Sequence, residues 1–122
     1  LELLPTENCG DDQKLAHDIV CRALREHPDL GGVYISVNGQ IGACEALTEM
    51  NAAGRVRLIC HDLIPANIEN VRRGVIDVLI DQDAHMQGNR PTELLLDYLL
   101  CGDKPESDRI LAHIDIRNRY NV

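Results

Sequence analysis

The sequence predicts an α/β fold in which a doubly wound, mostly parallel sheet is flanked by helices. Short runs of aliphatic and β-branched residues alternate with longer segments whose apolar residues recur every three to four positions. The connections between these segments are only a few residues long. Because neighbouring parallel strands need a crossover helix between them, this alternation favours a parallel sheet. The 122 residues are enough for one folding unit with a core of its own.

The first half of the chain is predicted to form strand, helix, strand and helix. Asp11 and Asp12 carry negative charges suited to a first helical turn, and His27, Pro28 and Gly31 interrupt the pattern that follows. Asn38 and Gly39 make a turn before the second helix. The predicted strands are 1–4 and 32–37, and the predicted helices are about 11–27 and 41–54.

The second half continues the alternation. Pro65 suits the first turn of a helix, and Gly74 and Gly102 suit helix ends. Pro91 interrupts the long helical pattern, so we expect either a kink there or a regular helix that begins near it. The predicted strands are 56–60, 76–80 and 110–116, and the predicted helices are 65–74 and 84–100.

Composition narrows the function. The net charge of −8 repels phosphate backbones, so this chain is not expected to bind DNA by itself. There is no Phe or Trp, which leaves an aliphatic core. The five cysteines form no CxxC pair and cannot all pair with one another, which indicates reduced thiols and a cytoplasmic location. No segment approaches membrane-spanning length, so we expect no membrane partner.

Polar residues follow three of the predicted strands, where open α/β sheets bind ligands. Carboxylates and amides there suit a polyhydroxyl ligand, because both accept hydrogen bonds from sugar hydroxyls and an amide also donates. These residues are Ser36, Asn38 and Gln40 after the second strand, His61 and Asp62 after the third, and Asp81, Gln82 and Asp83 after the fourth.

Other interpretations of these residues stay open. Asp62 could cap the following helix, and Asn38 could serve only the turn. His61 with Asp62 or His85 could bind a metal or exchange protons, although no metal-ligand spacing is recognisable. No dinucleotide, phosphate-loop or GxSxG motif follows a strand, so we expect no enzyme, no cofactor and no metal.

Four segments together resemble the superfamily of periplasmic sugar-binding proteins and the effector domains of LacI-type repressors. They are HPDLGGVYISVNGQIGACEALTEM, VRLICHDLIPANIENVRRGVIDVLIDQD, QGNRPTELLLDYLLCG and ILAHIDIRNRY. The resemblance implies that Asp62 and Gln82 are the ligand-binding aspartate and glutamine. A one-residue slip in SVNGQ leaves Ser36, Asn38 and Gln40 as candidates for a third contact.

The resemblance also implies that residues 1–122 form a single partial domain, most of the carboxy-terminal lobe of a two-lobed protein without the lobe's first strand and helix. The missing strand would lie inside the sheet and leave a gap between strands 1–4 and 32–37, so either these neighbours close up or another chain fills the place. Helix 84–102 would pack on the absent lobe. Because its stripe of Leu94, Leu95 and Tyr98 then lacks a partner, we expect self-association.

The function implied first is the sugar-sensing part of a LacI-type transcription regulator, which binds DNA only through a headpiece absent from this chain. The ending DIRNRYNV resembles repressor tails. The alternative is an exported sugar-binding protein of a transporter or receptor system. A small α/β enzyme is the least favoured interpretation.

Overall fold

A computed structural model describes residues 2–122, which form four helices and four strands. The helices are α1 (Gln13–Glu26), α2 (Gln40–Glu49), α3 (Pro65–Arg72) and α4 (Ala84–Cys101). The strands are β1 (Gly32–Ile35), β2 (Arg57–His61), β3 (Val78–Asp81) and β4 (Asp115–Arg117).

The strands form one sheet in the order β1-β2-β3-β4. β1 pairs parallel to β2, and β2 parallel to β3, with Ile35 opposite Cys60 and His61 opposite Ile80. β4 runs antiparallel to β3, with Asp115 opposite Asp81. This mostly parallel sheet flanked by helices confirms the predicted α/β fold.

Helix ends follow the local signals in the sequence. Asp12 caps α1 by accepting a 2.8 Å hydrogen bond from the amide of Leu15. Pro65 opens α3, and Gly102 ends α4 in the left-handed conformation, with its N–H bonded to Tyr98 O at 3.0 Å. The predicted helix ends at Pro65 and Gly102 are confirmed, whereas Asp12, which was expected in the first turn of its helix, lies just before α1 and caps it.

The core lies between the sheet and helices α1 to α3. Leu58, Cys60 and Leu79 point from the strands into this core, and Leu47 meets them from α2. Burial raises the pKa of the Cys44 and Cys60 thiols to about 12. These two cysteines therefore behave as small apolar side chains rather than as reactive groups.

Helices α1 and α2 approach each other closely at Gly42. A Cβ atom at this position would lie 1.8 Å from the carbonyl oxygen of Gln13, so only glycine fits. The side chain of Gln13 in turn accepts a 3.0 Å hydrogen bond from the amide of Gly42. This contact sets the separation of the two helices.

Two predicted strands are wrong in whole or in large part. Residues 2–4 are not a strand, and Leu3 is 85% exposed; Leu1 lies outside the described residues. Of the predicted strand 110–116, only Asp115 and Ile116 join β4. An apolar run becomes a strand only where a neighbour offers hydrogen bonds, and β3 offers β4 just three paired positions.

Helix α4 runs through Pro91 without ending, so the expectation that the regular helix begins near this proline is wrong. None of its residues is buried among the described part of the chain. Leu95, Leu96 and Leu99 are at least half exposed. None of the helices between residues 2 and 122 combines the length and apolar character that a bilayer span requires.

Candidate functional site

The loops that follow β2 and β3 bring Asp62 and Gln82 together. Gln82 Nε2 lies 3.5 Å from Asp62 Oδ1 at the carboxyl edge of the parallel strands. Asp62 is exposed and Gln82 is partly exposed. An accessible carboxylate and an accessible amide thus stand side by side where a ligand of an open α/β sheet would bind.

Asp62 has an unusual backbone for a residue other than glycine. Its φ of 71° lies in the left-handed region, which costs a non-glycine residue free energy and which aspartate tolerates better than most. Its N–H donates to Ile80 O at 3.1 Å, which ties the loop after β2 to β3. This conformation turns the chain sharply between β2 and α3.

Asn67, in the first turn of α3, holds this loop from beneath. Its fully buried side chain donates from Nδ2 to the carbonyl oxygens of His61 at 3.1 Å and Asp62 at 3.0 Å. Helix α3 begins at Pro65, and Ile64 at the capping position before it provides no side-chain hydrogen bond. The interpretation of Asp62 as the cap of this helix is therefore wrong, and its carboxylate is not used at the helix end.

A chain of hydrogen bonds links Gln82 to β1 through His61. Gln82 Nε2 lies 3.0 Å from His61 Nδ1, and His61 Nε2 lies 2.7 Å from the Tyr34 hydroxyl. The Tyr34 and His61 rings pack edge to face with centroids 5.6 Å apart. Tyr34 is not among the site residues predicted from the sequence. Tyr34 could have been found from the alternation of side chains along paired strands, because this alternation places Tyr34 and His61 on one face of the sheet.

Accessibility differs among the three candidates after β1, which are Ser36 and Asn38 in the turn and Gln40 as the first residue of α2. Ser36 and Asn38 are exposed, whereas Gln40 is only 2% exposed. Gln40 Nε2 has no hydrogen-bond partner among the described residues. A ligand contact through Gln40 would need this amide to become accessible, so the structure offers Ser36 and Asn38 more directly.

The backbone of Asn38 is held on both sides by the segment before α1. Asp11 Oδ1 accepts a 3.1 Å hydrogen bond from the Asn38 amide, and the thiol of Cys9 donates to the Asn38 carbonyl at 3.2 Å. Gly39 follows with φ of 121°, beyond the reach of most side-chain-bearing residues. These contacts anchor the turn at the same edge of the sheet as Asp62.

A cavity of about 350 Å³ lies beyond Gln82, at the ends of β3 and β4. Its charged groups are largely paired, since Arg117 contacts Asp115 at 2.8 Å and Asp81 at 3.7 Å. Asp83 caps α4 by accepting a 3.0 Å hydrogen bond from the amide of Met86. The cavity is lined by Leu63, Asp81, Asp83, Ala84, His85, His113, Asp115 and Arg117.

The cavity does not include Asp62 or Gln82, so the shape of the surface and the chemistry of the predicted site point to neighbouring places. Across residues 2–122, no three His, Cys, Asp or Glu side chains are arranged to hold a metal ion.

Comparisons with known proteins agree with this architecture. Residues 1–104 match the model of the periplasmic binding protein domain. A curated relative, the xylose/arabinose-binding protein XylF of Sulfolobus acidocaldarius, is 31% identical over 83 residues. That alignment covers 63% of this chain and 21% of the relative.

Solved structures share the fold over nearly the whole chain. An ABC transporter solute-binding protein from Agrobacterium vitis with bound D-fucose superposes with a TM-score of 0.89 at 21% identity, covering 97% of this chain and 40% of that protein. The glucose-galactose binding protein GanP of Geobacillus stearothermophilus gives 0.85 at 16% identity, covering 95% and 41%.

A third structure, the XylFII-LytSN complex, gives a TM-score of 0.86 at 20% identity and covers 99% of this chain and 42% of that chain. The present chain thus spans less than half the length of the proteins whose fold it shares. The match over residues 1–104 shows that the chain belongs to the family of periplasmic binding protein domains.

Proposed function

We propose that this chain is most of one lobe of a sugar-binding protein that serves a transporter or receptor. The observation that carries the proposal is the meeting of Asp62 and Gln82 at 3.5 Å on the carboxyl edge of a sheet of the periplasmic-binding-protein type. The names of the relatives, which include a xylose/arabinose-binding and a glucose-galactose binding protein, support a sugar as the ligand.

The chemistry of this edge suits a neutral sugar. The Asp62 carboxylate and the amide oxygen of Gln82 accept hydrogen bonds, and the amide of Asn38 can both accept and donate. The Ser36 hydroxyl, also exposed, adds a group that does both. A small number of such polar groups fixes the orientation of a small ligand, and a second lobe would supply the opposite contacts and exclude water.

In this function, residues 1–122 would be a partial domain whose site is completed by a second lobe. Helix α4 supports this, because none of its residues is buried among the described part of the chain, and its exposed leucines would pack against that lobe. The relatives are described as binding proteins, which supports binding rather than catalysis as the function of this chain.

The effector lobe of a LacI-type regulator is the second candidate function. The observation that favours it is that all five cysteines are free, which suits a reducing cytoplasm better than an oxidising compartment. In that case DNA binding would belong to a headpiece outside this chain. The names of the relatives favour the transporter or receptor function, so we place it first.

The test is calorimetric titration of the two-lobed protein that contains this chain, with D-xylose, L-arabinose, D-galactose and D-fucose as probes. Asp62→Asn and Gln82→Ala are each expected to weaken binding of the accepted sugar at least about tenfold, the effect of losing roughly 1.4 kcal/mol of hydrogen bonding. Asp29→Asn, an exposed aspartate at the opposite edge of the sheet, is the control. Unchanged binding in both site variants would remove Asp62 and Gln82 from the site.

A further inference from the structure

We propose that His61 is a positioning residue that fixes the direction of the Gln82 amide, so that the site presents hydrogen-bond acceptors and selects uncharged sugars over sugar acids and sugar phosphates. This inference rests on the proposed function, since it refines the substrate class of the same site. It follows from three contacts. The first orients the amide of Gln82, and the second and third place the proton of the His61 imidazole. Together they determine which atoms remain for the ligand.

The first contact orients the amide of Gln82. Its Nε2 atom lies 3.5 Å from Asp62 Oδ1. A carboxylate only accepts hydrogen bonds, so the nitrogen of the amide is favoured on this side and the oxygen would be repelled. Although 3.5 Å is long for a hydrogen bond, the charge on Asp62 acts over this distance.

The second and third contacts place the imidazole proton. The same Gln82 nitrogen lies 3.0 Å from His61 Nδ1, and because that nitrogen donates, Nδ1 must accept. A neutral imidazole whose Nδ1 accepts carries its proton on Nε2. His61 Nε2 lies 2.7 Å from the Tyr34 hydroxyl oxygen and therefore donates a hydrogen bond to it.

The consequence is an acceptor surface. Both N–H groups of the Gln82 amide are directed at protein atoms, His61 Nδ1 and Asp62 Oδ1. The amide oxygen and the second carboxylate oxygen of Asp62 remain for the ligand. Sugar hydroxyls can donate to both oxygens, whereas a phosphate or carboxylate offers no proton and meets a negative charge.

The neighbouring charges strengthen this selection. Arg117, a basic side chain near this edge, is paired with Asp115 at 2.8 Å. Asp81 lies 3.7 Å from the same guanidinium, so the positive charge of Arg117 is already balanced by two carboxylates. It is therefore not available to compensate an anionic ligand.

The arrangement can be tested without any ligand. In the ¹⁵N-labelled 122-residue chain near pH 8, NMR of the His61 ring should show an unprotonated Nδ1 and a protonated Nε2. Gln82→Leu removes the donor and should let the proton distribute over both nitrogens. A proton on Nδ1 in the unaltered chain would overturn the proposal.

The effect on selectivity is tested in the two-lobed protein with D-xylose and its acid D-xylonate as probes. His61→Asn keeps an acceptor at the position of Nδ1, so this variant should retain D-xylose affinity within about threefold. The longer side chain of His61→Gln places its amide toward Tyr34 instead, so D-xylose affinity should fall about tenfold or more. His61→Gln should also narrow the preference for D-xylose over D-xylonate, which a merely structural change would not do.

Equal loss in both His61 variants, or D-xylonate binding as tightly as D-xylose in the unaltered protein, would contradict the proposal. Failure of the unaltered protein to bind any of the four sugar probes would instead overturn the proposed function. The ring-nitrogen measurement still decides the arrangement of His61 and Gln82 in that case, so the two failures are distinguishable.

Discussion

The buried side chain of Asn67 donates a 3.0 Å hydrogen bond to the backbone carbonyl of Asp62, the residue that presents the candidate binding carboxylate. The same nitrogen donates to the carbonyl of His61 at 3.1 Å. One buried amide thus supports the last paired residue of β2 and the residue that follows it. The shape of the site depends on α3 as much as on the strand itself.

We expect Asn67→Ala to destabilise the chain by about 1–3 kcal/mol, because two carbonyls would lose their buried donor. Urea unfolding checks the free energy. The same variant should weaken sugar binding in the two-lobed protein even though Asn67 does not face the ligand. Asn70→Ala, which removes a hydrogen bond to Ala66 O in the same helix, is the matched control and should leave sugar affinity unchanged.

Asp62→Gly should separate function from stability. Glycine adopts the φ of 71° without penalty, so unfolding free energy should stay the same or rise by up to about 1 kcal/mol. Sugar binding should nevertheless be lost with the carboxylate. Asparagine tolerates the same backbone conformation, so Asp62→Asn tests how much the negative charge alone contributes to sugar binding. A glycine variant that binds sugar normally would show that the residue serves the turn alone.

Gly42→Ala should destabilise the chain by about 1–3 kcal/mol through overpacking, because its Cβ would lie 1.8 Å from Gln13 O. Gly88→Ala is the opposite case, since a Cβ there meets nothing within 4 Å and the residue lies inside α4. It should stabilise by roughly 0.5–1 kcal/mol through the better helix propensity of alanine. Paired urea unfolding curves compare the two variants directly.

The contact of His17 with Glu49 should make stability depend on pH. Hydrogen bonds to Glu49, at 3.0 Å, and to Asp18 raise the pKa of His17 above its usual 6.5. A raised pKa in the folded state means that this contribution is fully present below about pH 6.5 and is lost as the pH rises through the folded-state pKa.

His17→Ala should therefore lower the unfolding free energy more at pH 5.5 than at pH 9. Glu49→Gln should reduce the same dependence, and added salt should weaken it, because the groups lie near the surface. Identical losses at both pH values would show that His17 contributes by packing alone.

The isolated 122-residue chain should self-associate through α4. Leu96, Leu99 and Leu100 are at least half exposed, and a run of large apolar side chains on one helix is an association site in water. Sedimentation at micromolar concentration should show a dimer or larger species, and Leu96→Glu with Leu99→Glu should restore a monomer. A monomeric unaltered chain would be the contrary result.

Local patterns in the sequence determined the helices and the central strands. The cap at Asp12, the proline at the start of α3 and the glycine after α4 act within one or two turns of their own positions, so they can be recognised without knowing the rest of the fold. The α/β class follows from the same alternation. The prediction that Asp62 and Gln82 share one edge follows from strand order, and the structure places them 3.5 Å apart.

The tertiary structure decided whatever depends on contacts between distant segments. Residues 2–4 and most of 110–114 are apolar enough for strands, yet they have no partner whose hydrogen bonds would hold them. The link from Tyr34 through His61 to Gln82 joins three strands or strand ends, and the register of those strands alone brings the rings together. Periodicity shows which face a side chain occupies, but only the pairing of the strands shows which neighbour it meets.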